Sequence, residues 1–146
     1  MPHYDNNIDS ISEDLFDKIK SGEVINYLGL VNDVKPYIRD ASVIVLPSYY
    51  GEGVPRCLLE GMAMGRPVIT CNSVGCRETV TDLPDNRNGF LIPVRDIAAL
   101  AGSMMHYLSN PTDIILNGRN GRLFAEKKFD VNLVNAQMLK IMKVAS

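Results

Sequence analysis

Charge of one sign, paired metal ligands and long apolar runs are all scarce in this chain. Fifteen Lys and Arg against seventeen Asp and Glu leave a formal charge of −2 over 146 residues. The cations are scattered rather than gathered into a basic stripe, which argues against electrostatically driven binding of nucleic acid. Any nucleotide bound here is expected to be a small molecule. The three cysteines, Cys57, Cys71 and Cys76, are odd in number and fall in or beside apolar elements, unlike a secreted disulfide framework, so they read as reduced thiols. The two histidines, His3 and His106, are far apart, and no Cys or His pair has zinc-ligand spacing. No metal is expected. The first residues, Met1-Pro2-His3-Tyr4-Asp5-Asn6-Asn7, lack the basic start and apolar core of a signal peptide, and no apolar run is long enough to span a bilayer. A soluble, cytoplasmic protein is the expectation.

What is present is enough for one domain with a core that needs no disulfide or metal, and residues 1–146 are expected to fold as a single unit. Ser10 and Glu13 have capping-box spacing, and Ile11, Leu15, Phe16 and Ile19 follow at helical intervals until Ser21-Gly22. Residues 24–28 read as a short strand ending at Gly29, and Asp33 opens a brief helix carrying Val34, Tyr37 and Ile38, with Pro36 in its first turn. Residues 42–47, 67–71 and 89–94 are continuous β-branched or apolar runs. That is what parallel strands covered on both faces require. Asp96 caps a helix in which Ile97, Leu100, Ala101, Met104, Met105 and Leu108 form an apolar stripe, with Met104 and Met105 expected in the core, until Asn110-Pro111 ends it. Two more helical patterns follow, 111–128, weakened by Gly118 and Gly121, and 130–143 with Val131, Val134, Met138 and Ile141. Strands alternating with helices over short connections predict an open parallel α/β sheet with flanking helices, whose ligands bind beyond the carboxyl ends of the strands.

One stretch carries chemistry. In Glu52-Gly53-Val54-Pro55-Arg56-Cys57-Leu58-Leu59-Glu60-Gly61, a carboxylate stands at the mouth of a predicted helix and a second lies inside it. Pro55 suits the first helical position, so the N–H groups of residues 53–56 would face a cleft where helix polarity favours a diphosphate. Gly53, without a Cβ, lets a ligand approach the backbone. Glu52 and Glu60 suit sugar hydroxyls, which donate to acceptor-only groups. The same spacing also fits an ordinary surface ion pair between Arg56 and Glu60. Both readings stand on chemistry alone.

The ordered series Pro47-Ser48, Glu52-Gly53, Leu59-Glu60-Gly61-Met62-Ala63-Met64-Gly65-Arg66-Pro67-Val68-Ile69, Gly75-Cys76-Arg77-Glu78 and Asn88-Gly89-Phe90-Leu91-Ile92-Pro93 resembles the donor-binding half of the family-four retaining glycosyltransferases. The resemblance covers about residues 24–130. Within that family the chain is similar to bacterial enzymes that build capsular and other surface glycans, often on polyprenyl-diphosphate carriers. The resemblance implies the Rossmann-like half of a GT-B fold. It implies Glu52 as the catalytic residue beside the donor sugar, Glu60 on the ribose, and the loop of Gly53, Val54, Pro55 and Arg56 on sugar and diphosphate. Leu30 and Val31 are the implied base contacts. The donor would be a nucleotide-diphosphate sugar, a UDP-sugar first among them, with no cofactor besides.

The acceptor, a glycan or polyprenyl-linked chain, would come through an N-terminal domain. Nothing in residues 1–23 matches that domain or the Gly-Arg and Lys that open the family's donor domain. The expectation is a fragment inactive alone, from an enzyme that associates peripherally with the membrane. A non-catalytic nucleotide-sugar-binding or interaction module is the alternative. Elsewhere, Glu78 reads as a cap or ion-pair residue, Cys76 as a core filler, and Asn86-Arg87-Asn88-Gly89 as a tight turn. Tyr49 and Tyr50 read equally as a stacking platform or as braces for their loop.

Overall fold

The computed structural model describes residues 12–22, 25–51, 53–81 and 83–142. The chain divides into two units, Met1–Val34 and Lys35–Ser146. In the first, α1 (Glu13–Lys20) is capped by Ser12, whose side chain accepts from Leu15 N–H at 3.4 Å. The expected cap at Ser10 lies outside the described residues. Phe16 meets Tyr27 edge-on at 5.5 Å, and the Lys20 ammonium sits 4.6 Å from the Phe16 ring. Residues 25–28 form no strand, a correction to the sequence reading. A strand exists only as a member of a ladder, and among the described residues none pairs with this segment.

The second unit is built on three parallel strands, β1 (Ile44–Leu46), β2 (Val68–Cys71) and β3 (Gly89–Ile92), in the order β1-β2-β3. Ile44 lies beside Val68, and Val68 beside Gly89. The central strand is buried along its whole length, as its unbroken apolar run demands. Its side chains alternate between two cores. Val68 joins Leu58, Met62, Cys76 and Ala125 on one face, while Ile69 and Cys71 join Ile92 and Tyr107 on the other. The first face is covered by α3 (Arg56–Ala63) and α5 (Pro111–Phe129), the second by α4 (Ile97–Ser109). The short α2 (Lys35–Asp40) buries Ile38, and α6 (Val131–Met142) ends the described chain.

One expectation about the helices changes. Met104 and Met105 are exposed, as are Ile97 and Leu108, and the residue of α4 that enters the core is Tyr107. The helix is apolar nearly all round, so periodicity did not choose between its faces. The choice goes to the ring whose hydroxyl finds a buried partner, the Asn117 amide donating to it at 3.0 Å. Burial pushes the Tyr107 phenol up, against the opposing effect of that donor. The helix expected over 111–128 is present as Pro111–Phe129, and within it Gly118 lies against the carbonyl of Gly65.

The stop of α3 sets where β2 begins. Gly65 has a φ of +69°, its N–H donates to Met62 O at 2.9 Å, and the Arg66 N–H reaches back to Gly61 O at 2.9 Å. This is the doubly bonded C-terminal cap that a left-handed glycine permits. The Arg122 guanidinium of α5 donates to the Ala63 carbonyl of the same last turn and pairs with Glu126 at 2.6 Å.

A 3-10 turn, Cys76–Thr79, is tied to α5 by Lys128, whose ammonium donates to Glu78 Oε2 at 2.8 Å and to Glu78 O at 2.9 Å. The ion-pair reading of Glu78 is met, with Lys128 as its partner. The hydrogen bond from Lys128 holds the carboxyl below its ordinary value. The folded state therefore binds that proton less readily than the unfolded chain. The stabilisation is present above the unfolded carboxyl value and fades as pH falls through the depressed folded one. Thermal melts between about pH 3 and 7 should show Glu78→Gln with a flatter loss of stability below about pH 4.3 than the parent. An identical acid limb would dismiss the pair as a contributor.

Candidate functional site

The carboxyl ends of the strands present three segments: 47–51 with 53–55 after β1, 72–75 after β2 and 93–96 after β3. They are tied to one another. The Thr70 hydroxyl donates to Leu46 O at 2.7 Å and the buried Ser73 hydroxyl to Ser48 O at 3.2 Å, so the end of β2 holds the exit from β1. Burial raises the Cys71 thiol, which is kept protonated at the end of β2.

Sequence reasoning placed Pro55 at the first helical position. It is the N-cap instead, with φ −66° and ψ 126°, and α3 begins at Arg56. An extended proline cannot be helical, and it has no N–H to offer, so the amides at this helix end are those of Arg56 onward. The ladder opens with Leu59 N–H donating to Pro55 O at 3.3 Å. Pro55 gives the first turn no side-chain cap. The positive pole of α3 thus faces the loop that contains Gly53 and the half-buried Val54.

Gly53 is set apart from the packed glycines. A Cβ built on it meets no described protein atom within 4 Å, whereas one on Gly61 would meet Ile44 Cγ1 at 2.6 Å. Among the described residues nothing fills the space beside Gly53, which is open as it is at Gly51. Glu52, the expected catalytic residue, lies outside the described residues. Glu60 stands one turn into α3 with 41% of its side chain exposed, and Arg56 Nη2 is 3.8 Å from its Oε1. The carboxylate has therefore found a cation, at a distance and exposure that make the pair weak. Leu30, fully exposed, and Val31, half-buried, belong to the first unit.

Two features of these segments escaped the sequence. Tyr49 and Tyr50 stack with centroids 4.3 Å apart and their hydroxyls 2.8 Å apart, and the Arg95 guanidinium lies 4.7 Å from the Tyr49 ring. The tyrosines were visible as candidates. Arg95 carried no signal, because its contact spans two loops separated by more than forty residues. The Ser73 bond to Ser48 is of the same kind. A separate groove of about 520 Å³ along α5 and α6, lined by Thr81, Asn120, Phe124, Lys128 and Gln137, includes none of the residues assigned to the donor. Among the described residues no three His, Cys, Asp or Glu gather as a metal site, and no helix is long and apolar enough to cross a membrane.

Comparison with known proteins agrees with the sheet and the motif. A family model described as Glycosyl transferases group 1 matches residues 7–110. The amylovoran biosynthesis glycosyltransferase AmsK of Erwinia amylovora is 28% identical over 116 residues, covering 76% of this chain and 28% of that protein. Sucrose-phosphate synthase from Thermosynechococcus elongatus superposes with a TM-score of 0.75 at 30% identity, over 90% of this chain and 32% of that one. HepE from Anabaena, solved in complex with UDP, superposes with a TM-score of 0.79 at 21% identity, over 90% and 36% of the two chains. That last likeness speaks to the fold. The chain spans about 28% of the length of the first curated relatives it matches.

Proposed function

The chain belongs to the group 1 glycosyl transferases, and on that premise we propose that it is the donor-binding part of a retaining hexosyltransferase in surface-polysaccharide biosynthesis. The donor is a nucleoside-diphosphate sugar, with UDP the favoured carrier, and the group moved is a hexose or N-acetylhexosamine. The acceptor is a glycan or lipid-linked chain that enters from outside these residues. The observation that carries this reading is the unfilled space beside Gly53 at the positive end of α3, on the carboxyl edge of a parallel sheet.

The division of labour follows from charge. A diphosphate settles against the amides at the start of α3, where Gly53 lets it come close. Glu60 accepts hydrogen bonds from the ribose hydroxyls, exchanging its weak contact with Arg56 for them. Glu52 serves the donor sugar. As the bond from the anomeric carbon to the diphosphate oxygen breaks, the acceptor oxygen bonds to that carbon on the same face and its proton passes to the departing diphosphate. Fixed dipoles at the helix end stabilise the charge that grows on the leaving group. The UDP held by HepE and the capsular polysaccharide biosynthesis in the name of the relative CapM of Staphylococcus aureus support the carrier and the pathway class.

A protein-observed NMR titration with UDP, UDP-glucose, UDP-GlcNAc and GDP tests the assignment. Binding of about millimolar strength, roughly 4 kcal/mol, is expected, with shifts at residues 53–60. Glu60→Ala should weaken UDP at least about tenfold, roughly 1.4 kcal/mol, in a protein that melts normally. The observed Arg56 contact favours one rival, a plain surface pair. Under that rival Glu60→Ala leaves the titration untouched.

A further inference from the structure

Arg95 occupies a backbone state that its side chain disfavours. Among the described residues it is the one non-glycine with a positive φ, +63°. It stands third in a turn closed by the Asp96 N–H donating to Pro93 O at 3.3 Å. Glycine or asparagine is the ordinary occupant of such a position, because a Cβ crowds the backbone there. The turn's own task is to deliver Asp96 as the cap of α4, accepting from Ala99 N–H at 2.8 Å, and the Arg95 side chain has no part in that bond. Local structure gives no reason for an arginine.

Its side chain gives one. The guanidinium lies 4.7 Å from the centroid of Tyr49, which is itself stacked on Tyr50. Arg95 follows β3 and Tyr49 follows β1, and in the sheet those strands are separated by β2. The contact therefore crosses the carboxyl edge over the end of the central strand and fastens the segment that runs directly into Gly51, Glu52 and Gly53. Both tyrosines are more than 40% exposed, so burial alone does not fix them.

We propose that Arg95 is a positioning residue of the donor site, whose guanidinium clamps Tyr49 and thereby holds residues 49–51, and with them Gly53 and Val54, in the arrangement that receives the nucleoside diphosphate. This rests on the donor reading given above. It assigns Arg95 no contact with the reacting atoms.

Arg95→Gly separates the clamp from the fold, because it removes the guanidinium while relieving the left-handed backbone. Its melting temperature should stay within about 3 °C of the parent. Amide hydrogen exchange over residues 49–54 should quicken, and UDP should bind about threefold more weakly or worse. Arg95→Lys, which keeps a cation over the ring, should recover most of both effects, and Tyr49→Leu should reproduce the loss. Unchanged exchange, or faster exchange with undiminished UDP affinity, overturns the proposal. If UDP shifts the wild type and fails on Glu60→Ala while Arg95→Gly binds normally, the donor reading stands and this one falls. If the wild type shows no UDP shifts at all, both fall together.

Discussion

Asn88→Ala is expected to lower the stability of the fold by about 3 kcal/mol, a shift of roughly 10 °C in melting temperature for a chain of this size. Asn88 is fully buried just before β3. Its amide nitrogen donates to Thr79 O at 2.8 Å and touches Met62 Sδ at 3.2 Å, and its amide oxygen accepts from Thr81 N–H at 2.8 Å. Its backbone adds a donor to Thr81 O and an acceptor for Val68 N–H. One residue thus closes the 3-10 turn, seats the methionine of α3 and starts the ladder between β2 and β3. Truncation strands the buried Thr79 carbonyl, at a cost of about 1–3 kcal/mol, and the partly buried Thr81 N–H at a smaller one, and leaves a cavity beside Met62. Asn88→Asp keeps the shape and the acceptor but loses the donor and brings a buried carboxyl, so it should be at least as damaging. Chemical denaturation of both variants measures the effect. A loss below about 1 kcal/mol for Asn88→Ala would mean that water replaces the amide freely.

Asn88 also marks a limit of what the sequence discloses. The tight turn expected over 86–89 lies instead at 84–86, closed by the Asn86 N–H donating to Leu83 O at 2.9 Å, and Asn88 stands between it and β3. The side chain's partners are Thr79, Thr81 and Met62, which no local pattern links to it. The three strands of the sheet were legible because buried parallel strands need continuous apolar runs, and these runs have nowhere else to go. The segment 25–28 has similar composition without a ladder, which composition cannot supply. In α4 the start at Asp96 and the stop at Asn110 were both readable from capping chemistry, yet the buried face was not. Tyr107 is chosen by Asn117, ten residues on and in another helix.

The site divides in the same way. Gly53, Pro55 and Glu60 could be put forward as donor residues because strand, turn and helix stand next to one another in the chain, and a ligand cradle at a helix start would be local by nature. The helix start itself is one residue later than expected, since Pro55 is extended. What positions that cradle is not local. Ser73 reaches Ser48 from the next strand, and Arg95 reaches Tyr49 across two. Contacts of that kind depend on strand order, which follows from the fold as a whole and not from spacing.

Two glycine-to-alanine changes in helices should act in opposite directions. Gly102, in α4, has no atom within 4 Å of a built Cβ, so Gly102→Ala gains helix propensity with no steric cost and should stabilise by up to about 1 kcal/mol. Gly118, in α5, would place its Cβ 2.1 Å from Gly65 O and 3.4 Å from Pro67 Cδ. The carbonyl belongs to the capped end of α3 and is not free to rotate aside, since the flanking N–H groups of Gly65 and Arg66 are bonded back to Met62 and Gly61. Alanine therefore forces α5 away from the turn between α3 and β2. That retreat also strains the Arg122 bond to Ala63 and the Asn120 bond to Arg87 O. Overpacking of this order costs about 1–3 kcal/mol, more than propensity returns, so Gly118→Ala should be net destabilising by about 2 kcal/mol. Its effect should extend to function, because α3 carries Glu60 and the helix end assigned to the diphosphate, and UDP binding should weaken with stability. Denaturation and UDP titration of the two variants side by side measure both. Stabilisation by both alanines would show that α5 keeps its distance from Gly65, and the close seating of the motif helix would have to be abandoned.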